Sequence, residues 1–152
     1  KHQDWSIALL GEVNKRRCIK EMEELEGLNN VYFLGRKKVD DVPLYTKYFN
    51  VCIIPYMQNE RAQHCSPLKI YEYMAAKKPI VTSHFAQALE FDNVVKISDS
   101  INDFIQNIEI CLKWPEDKIE LVKGYKIASD NTWDKRIEQI SDIIISNMKA
   151  GL

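Results

Sequence analysis

Residues 51–55, Val51-Cys52-Ile53-Ile54-Pro55, are apolar without alternation, which predicts a short strand covered on both faces. The cover is present in the rest of the chain, where short β-like runs alternate with longer helical ones. Residues 5–10 read as a strand ending at Gly11. A charged amphipathic stretch follows from about Lys15 to Leu25, with Gly27 as its C-terminal stop. Residues 31–34 are a second strand, closed by Gly35. Asp41 precedes a short helix that carries Pro43 in its first turn, where a missing N–H costs little. After the 51–55 strand, a loop from Tyr56 to Cys65 leads to Ser66-Pro67, an N-cap serine with proline at the first helical position, and that helix runs to about Lys77. Residues 79–82 and 93–97 are further strands. Ile101, Phe104, Ile105, Ile108 and Leu112 stand at helical spacing, Pro115 breaks that helix and begins another, and a last amphipathic helix spans residues 132–148. Alternation of this kind predicts an α/β fold, a doubly wound and mostly parallel sheet. Ligands in such folds sit beyond the carboxyl ends of the strands, so the loops after Leu34 and Pro55 and the helix start near Ser66 become the places to look.

Composition narrows the function classes. The 152 residues suffice for one domain with a hydrophobic core. Against 22 acidic side chains stand 21 basic ones, for a net charge of −1, so the basic excess of a nucleic-acid binder is lacking. Lys15-Arg16-Arg17 and Arg36-Lys37-Lys38 read as solvated faces. The four cysteines, Cys18, Cys52, Cys65 and Cys111, have neither CxxC spacing nor histidine partners suited to zinc, and no metal site is expected. Free thiols suit a reducing cytoplasm. No apolar stretch approaches the length of a membrane span, which again points to the cytoplasm and leaves peripheral contact at the inner membrane face open.

Most of the chemistry gathers in residues 66–81. A helix start offers unpaired N–H groups and the positive end of the helix dipole to an anion. Pro67 gives up one donor, Leu68 and Lys69 keep theirs, and the Lys69 ammonium adds a full charge. Glu72 stands three residues beyond Lys69 on the same face, where its oxygens can accept from vicinal hydroxyls. From spacing alone, an exposed Lys69–Glu72 helix ion pair is the favoured reading.

Ser66-Pro67-Leu68-Lys69, Tyr71-Glu72-Tyr73-Met74-Ala75 and Lys78-Pro79-Ile80-Val81 resemble the signature of glycosyltransferases with the GT-B architecture, in which two Rossmann-like domains face each other across a cleft. The other pieces follow in the family's order: Asp4-Trp5-Ser6, then Asn30-Val31-Tyr32-Phe33-Leu34-Gly35, then Asn50 through Tyr56, then Asn131-Thr132-Trp133. The resemblance implies that residues 1–152 are the partial C-terminal, nucleotide-sugar-binding domain, the N-terminal acceptor domain being absent. It implies that the parent transfers a sugar from a nucleoside diphosphate sugar, a uridine diphosphate sugar by expectation, to a cell-envelope glycan or lipid-linked acceptor. By the same resemblance, Ser66, Leu68 and Lys69 hold the donor diphosphate and Glu72 the ribose hydroxyls. The loop beginning at Arg36 meets the nucleobase, and Tyr56 forms a wall of the site. No cofactor or metal is implied, because protein charge and N–H dipoles stabilise the leaving diphosphate. No catalytic residue is placed in this chain, which is expected to bind donor without turnover.

Two departures from the pattern matter. Many relatives carry a glutamate eight positions before Glu72, where this chain has His64, a candidate contact to sugar or phosphate or a plain loop histidine. Relatives also have a strand and helix ahead of the segment matching Asp4, and that strand sits mid-sheet. Its lack predicts a rearranged sheet, a strand exchanged from another chain, or a piece of a longer parent. Trp114 and Trp133 are expected to pack against neighbouring helices. The stripe Ile137, Ile140, Ile143, Ile144 and Met148 is expected to be partly exposed. A non-catalytic nucleotide-binding or scaffold α/β module is the alternative; a receiver-like form of it is disfavoured by Gly11, Gly35 and Pro55 at the strand ends.

Overall fold

The computed structural model describes residues 2–13, 19–57, 59–60 and 64–149. The expected start of the first helix at Lys15, the Lys15-Arg16-Arg17 cluster and Cys18 lie outside the described residues. The chain divides into two compact units, Lys1–Val42 and Pro43–Leu152.

In the first unit, β1 (Ile7–Leu10) and β2 (Val31–Gly35) pair in parallel, with α1 (Ile19–Glu26) between them in sequence. The register runs Ile7↔Val31, Ala8↔Tyr32 and Leu9↔Phe33, then shifts so that Leu10 meets Gly35. Both strand ends need glycine: Gly11 has φ 138° and Gly35 φ 67°, values that side chains with a Cβ resist. The Gly11 N–H donates to the Gly35 carbonyl at 3.1 Å, tying the two ends together. At the opposite end, the Asn30 side-chain amide donates to the carbonyls of Trp5 (2.8 Å) and His2 (3.2 Å), whose own rings stack at 3.9 Å. Gly27 does follow the end of α1, its N–H closing onto the Glu23 carbonyl, without a positive φ. A 3-10 turn, Val39–Asp41, then leads into α2 (Val42–Thr46), which carries Pro43 in its first turn.

In the second unit, β3 (Cys52–Ile54), β4 (Ile80–Ser83) and β5 (Lys96–Ser98) form a parallel sheet in the order β3-β4-β5. The unalternating strand behaves as its composition requires: Cys52 and Ile54 are buried and Ile53 is half-buried. Helix α3 (Lys69–Ala75) links β3 to β4 and inserts Ile70 and Met74 into a core with Ile54, Ile80, Phe85 and Val94. Helix α4 (Ile101–Cys111) lies against β4 and β5. Its start is capped by Ser100, whose hydroxyl accepts from the Asp103 N–H at 3.1 Å. Helix α5 (Ile119–Asp130) packs on α3 at Gly124, where a Cβ would stand only 3.2 Å from Met74 Cγ. Close helix approach, not a turn, is the reason for that glycine.

Several expectations are corrected. Ser66 does not cap α3: the helix opens at Lys69 with Leu68 as N-cap, and no side chain bonds to its first turn. Ala75 ends the helix, and Lys77 takes a left-handed φ of 52°. The Lys78 N–H returns to the Tyr73 carbonyl and the Lys77 N–H to that of Met74, the paired closure that glycine usually enables. Residues 93–95 are turn, not strand, with Val94 and Val95 buried as core filling; the strand begins at Lys96. Pro115 precedes a turn, and the next helix starts only at Ile119. Trp114 is half-buried between the ammonium groups of Lys96 and Lys118, each under 6 Å from its ring. Trp133 does not pack inward; it is 72% exposed. It begins α6 (Trp133–Lys149), a helix with no buried residue, so the whole isoleucine stripe is exposed.

The fold is α/β with parallel strands throughout, as expected of one Rossmann-like half. The strands form two ladders rather than one continuous sheet: β1 pairs with β2 alone, and β3 is an edge of the other ladder.

Candidate functional site

Tyr56 is the platform of the candidate site. It follows β3 by two residues, at the carboxyl end where a parallel sheet receives ligands. Its carbonyl accepts at 2.7 Å from the Oγ of Ser83, the last residue of the neighbouring strand β4, and its ring tilts against the buried Phe85 at 5.4 Å. Partial burial, then the nearby Cys65 side chain, push the phenol pKa above its ordinary value, so it is a neutral hydroxyl at pH 7. Over the ring lies Lys69 Nζ, 5.4 Å from the centroid, a cation on a π face. Ser83 was the residue whose bond to Tyr56 sequence spacing did not reveal, because it acts through a residue distant in the chain.

The turn leading into α3 holds the other candidates together. The first helical hydrogen bonds are donated by Ile70, to the Pro67 carbonyl at 3.1 Å, and by Tyr71, to that of Leu68 at 3.0 Å. The amides of Leu68 and Lys69 come ahead of those bonds. Pro67 is buried and fixes the turn, while His64, Ser66, Leu68, Lys69 and Glu72 are exposed. Lys69 and Glu72 form no ion pair; among the described residues the lysine's partner is the Tyr56 ring. The second unit thus brings Lys69 to Tyr56, while His64, Ser66, Leu68 and Glu72 are exposed along the segment that enters α3 and its first turn. Arg36 belongs to the first unit, exposed directly after Gly35.

The remaining titratable groups have structural explanations. His84 Nδ1 meets Asp99 Oδ1 at 2.7 Å beyond the ends of β4 and β5, an open pair of the kind worth about 0–1 kcal/mol. Burial pushes the Cys52 thiol up to about 12 despite nearby Lys78, and the Cys111 thiol to about 11 despite Lys96. Neither forms a thiolate near neutrality, and both are enclosed. Iodoacetamide at pH 8 is therefore expected to leave Cys52 and Cys111 unmodified in the folded chain and to label both in denaturant. Peptide mass spectrometry reads the result, and rapid labelling of either residue in the native chain contradicts the burial. Among the described residues no cluster of three His, Cys, Asp or Glu side chains is placed to hold a metal ion. No helix among them is long and apolar enough to cross a membrane.

A sequence profile of the family described as "Glycosyl transferases group 1" matches residues 1–113. A protein of Bacillus subtilis (strain 168), named as a teichuronic acid biosynthesis glycosyltransferase, is 29% identical over 143 residues. That alignment takes in 90% of this chain and 35% of the relative, so the chain spans about a third of that relative's length.

Proposed function

The chain belongs to the glycosyl transferases group 1 family, and on that footing we propose that it is the donor-binding domain of a transferase acting on a nucleoside diphosphate sugar. The donor in this reading is a uridine diphosphate sugar, and the acceptor a cell-envelope glycan or lipid-linked saccharide; the naming of the relative for teichuronic acid biosynthesis supports such an acceptor. The observation that carries the proposal is the position of Lys69. Its ammonium stands at an exposed helix start, above an aromatic platform at the carboxyl end of a parallel strand.

Sugar transfer leaves two negative phosphates behind, and the departing charge must be stabilised where it develops. Lys69 supplies a cation, and the amides of Leu68 and Lys69 with the Ser66 hydroxyl supply donors. Glu72 accepts from the ribose hydroxyls, Tyr56 walls the nucleoside, and the chain after Arg36 meets the base. Protein charge takes the place of a metal in this scheme. The acceptor site and any catalytic base belong to an N-terminal domain of the parent. The parent works in the cytoplasm, at the inner membrane face if its acceptor is lipid-linked.

Calorimetric titration of the 152-residue chain with UDP, alongside GDP and ADP, tests the reading once circular dichroism has established folding. Saturable binding at one site, strongest for UDP, is expected. A folded chain that binds none of the three is a scaffold module instead.

A further inference from the structure

The ladder of β3 and β4 stops one step short of Tyr56. Its last pair is Ile54 with Thr82, and beyond it the Tyr56 N–H turns back to the Ile54 carbonyl at 3.0 Å. What reaches Tyr56 from β4 is a side chain. The half-buried Ser83 donates from Oγ to the Tyr56 carbonyl at 2.7 Å, with a longer contact of 3.4 Å to the Ile54 carbonyl. Thr82 does not share that work, because its hydroxyl is turned to the carbonyls of Ser83 (2.9 Å) and Ile54 (3.3 Å). Two residues past Ser83, the fully buried Phe85 lies against the Tyr56 ring. Ser83 therefore fixes the backbone of residue 56 and Phe85 fixes its ring. That ring in turn lies under the Lys69 ammonium.

Resting on the donor-site reading above, we infer that Ser83 is a positioning residue of the site: its hydroxyl holds Tyr56, and through Tyr56 it sets where Lys69 and the nucleoside wall stand. Ser83 acts without touching the ligand. A platform ordered beforehand leaves less to be ordered when ligand arrives, so the bond is read out as affinity.

Ser83→Ala is expected to weaken UDP binding about three- to tenfold, as when one side chain is left to be ordered on binding. Ser83→Thr, which keeps the hydroxyl, restores the affinity. In a Tyr56→Leu background Ser83→Ala adds no further loss, because residues that act one through the other are not additive. A second readout needs no ligand. In the unaltered chain the Lys69 ε-methylene protons feel the Tyr56 ring, so their NMR resonance is displaced upfield. The displacement collapses in Ser83→Ala and returns in Ser83→Thr, while the amide resonances of β5 stay in place. An upfield resonance that persists in Ser83→Ala, an unchanged UDP affinity, or an equal loss with and without the Tyr56 ring overturns the inference and leaves the donor site standing. If the Lys69 resonance follows Ser83 and yet UDP binds no form of the chain, the donor-site reading fails and the hold of Ser83 on Tyr56 is upheld.

Discussion

Lys69→Ala is expected to weaken UDP binding by roughly 10- to 100-fold, the worth of about 1.5–3 kcal/mol for a hydrogen bond to a charged group. The lysine is exposed and rests on the Tyr56 ring, and among the described residues no ion pair competes for its charge. Its removal therefore takes away ligand charge compensation and little else. The urea midpoint of the variant should match that of the unaltered chain, because surface substitutions of this kind usually move stability by within about 0.5 kcal/mol. Wild-type affinity should also fall as salt is added, since an exposed cation is screened over about 10 Å at 0.1 M ionic strength. If calorimetry finds UDP bound equally well by Lys69→Ala, the diphosphate is anchored elsewhere.

Phe85→Ala has a large effect of a different kind. Phe85 is fully buried, packs in the core with Ile54, Ile70 and Met74, and supports the Tyr56 ring at 5.4 Å. Truncation removes the ring's burial and leaves a cavity that the β3-β4-β5 ladder can fill only in part. A loss of about 3–5 kcal/mol is expected from such a change. Guanidinium denaturation monitored by circular dichroism measures it, and a shift below about 1 kcal/mol contradicts the packing described. The residual folded fraction should also bind UDP more weakly, because Tyr56 loses the side chain beneath it. Comparing the two variants separates charge from support: one keeps the fold and loses ligand, the other weakens both.

Sequence pattern carried the architecture wherever a local rule and the tertiary structure agree. Glycine was needed at Gly11 and Gly35 for their positive φ, so the strand ends could be read. The unbroken apolarity of residues 51–55 announced two covered faces, and the helical spacing from Ile101 to Leu112 announced α4. The cluster around Lys69 was legible through the Ser-Pro-x-Lys and Tyr-Glu-Tyr motif. Misreadings came where packing decides. A serine before a proline resembles a cap, yet Pro67 is buried and the first helical bonds fall beyond it. Val94 and Val95 have strand-like composition but fill the core from a turn. The Ser83–Tyr56 bond joins residues 27 apart, which no periodicity marks. Trp133 was misplaced because a large aromatic is usually an inward anchor, and here it opens a helix with no buried residue.

That helix, α6, has a thermodynamic consequence. Its tethers among the described residues, Arg136 to Tyr71 and Asn131 and Lys135 to Asp130, all belong to the first turn. Beyond them its helicity obeys the rules of a free peptide, and at 17 residues such a peptide is marginal in water. Warming can uncoil it while the ladder of β3, β4 and β5 is still intact. Ellipticity and core melting are then two separate events in one chain.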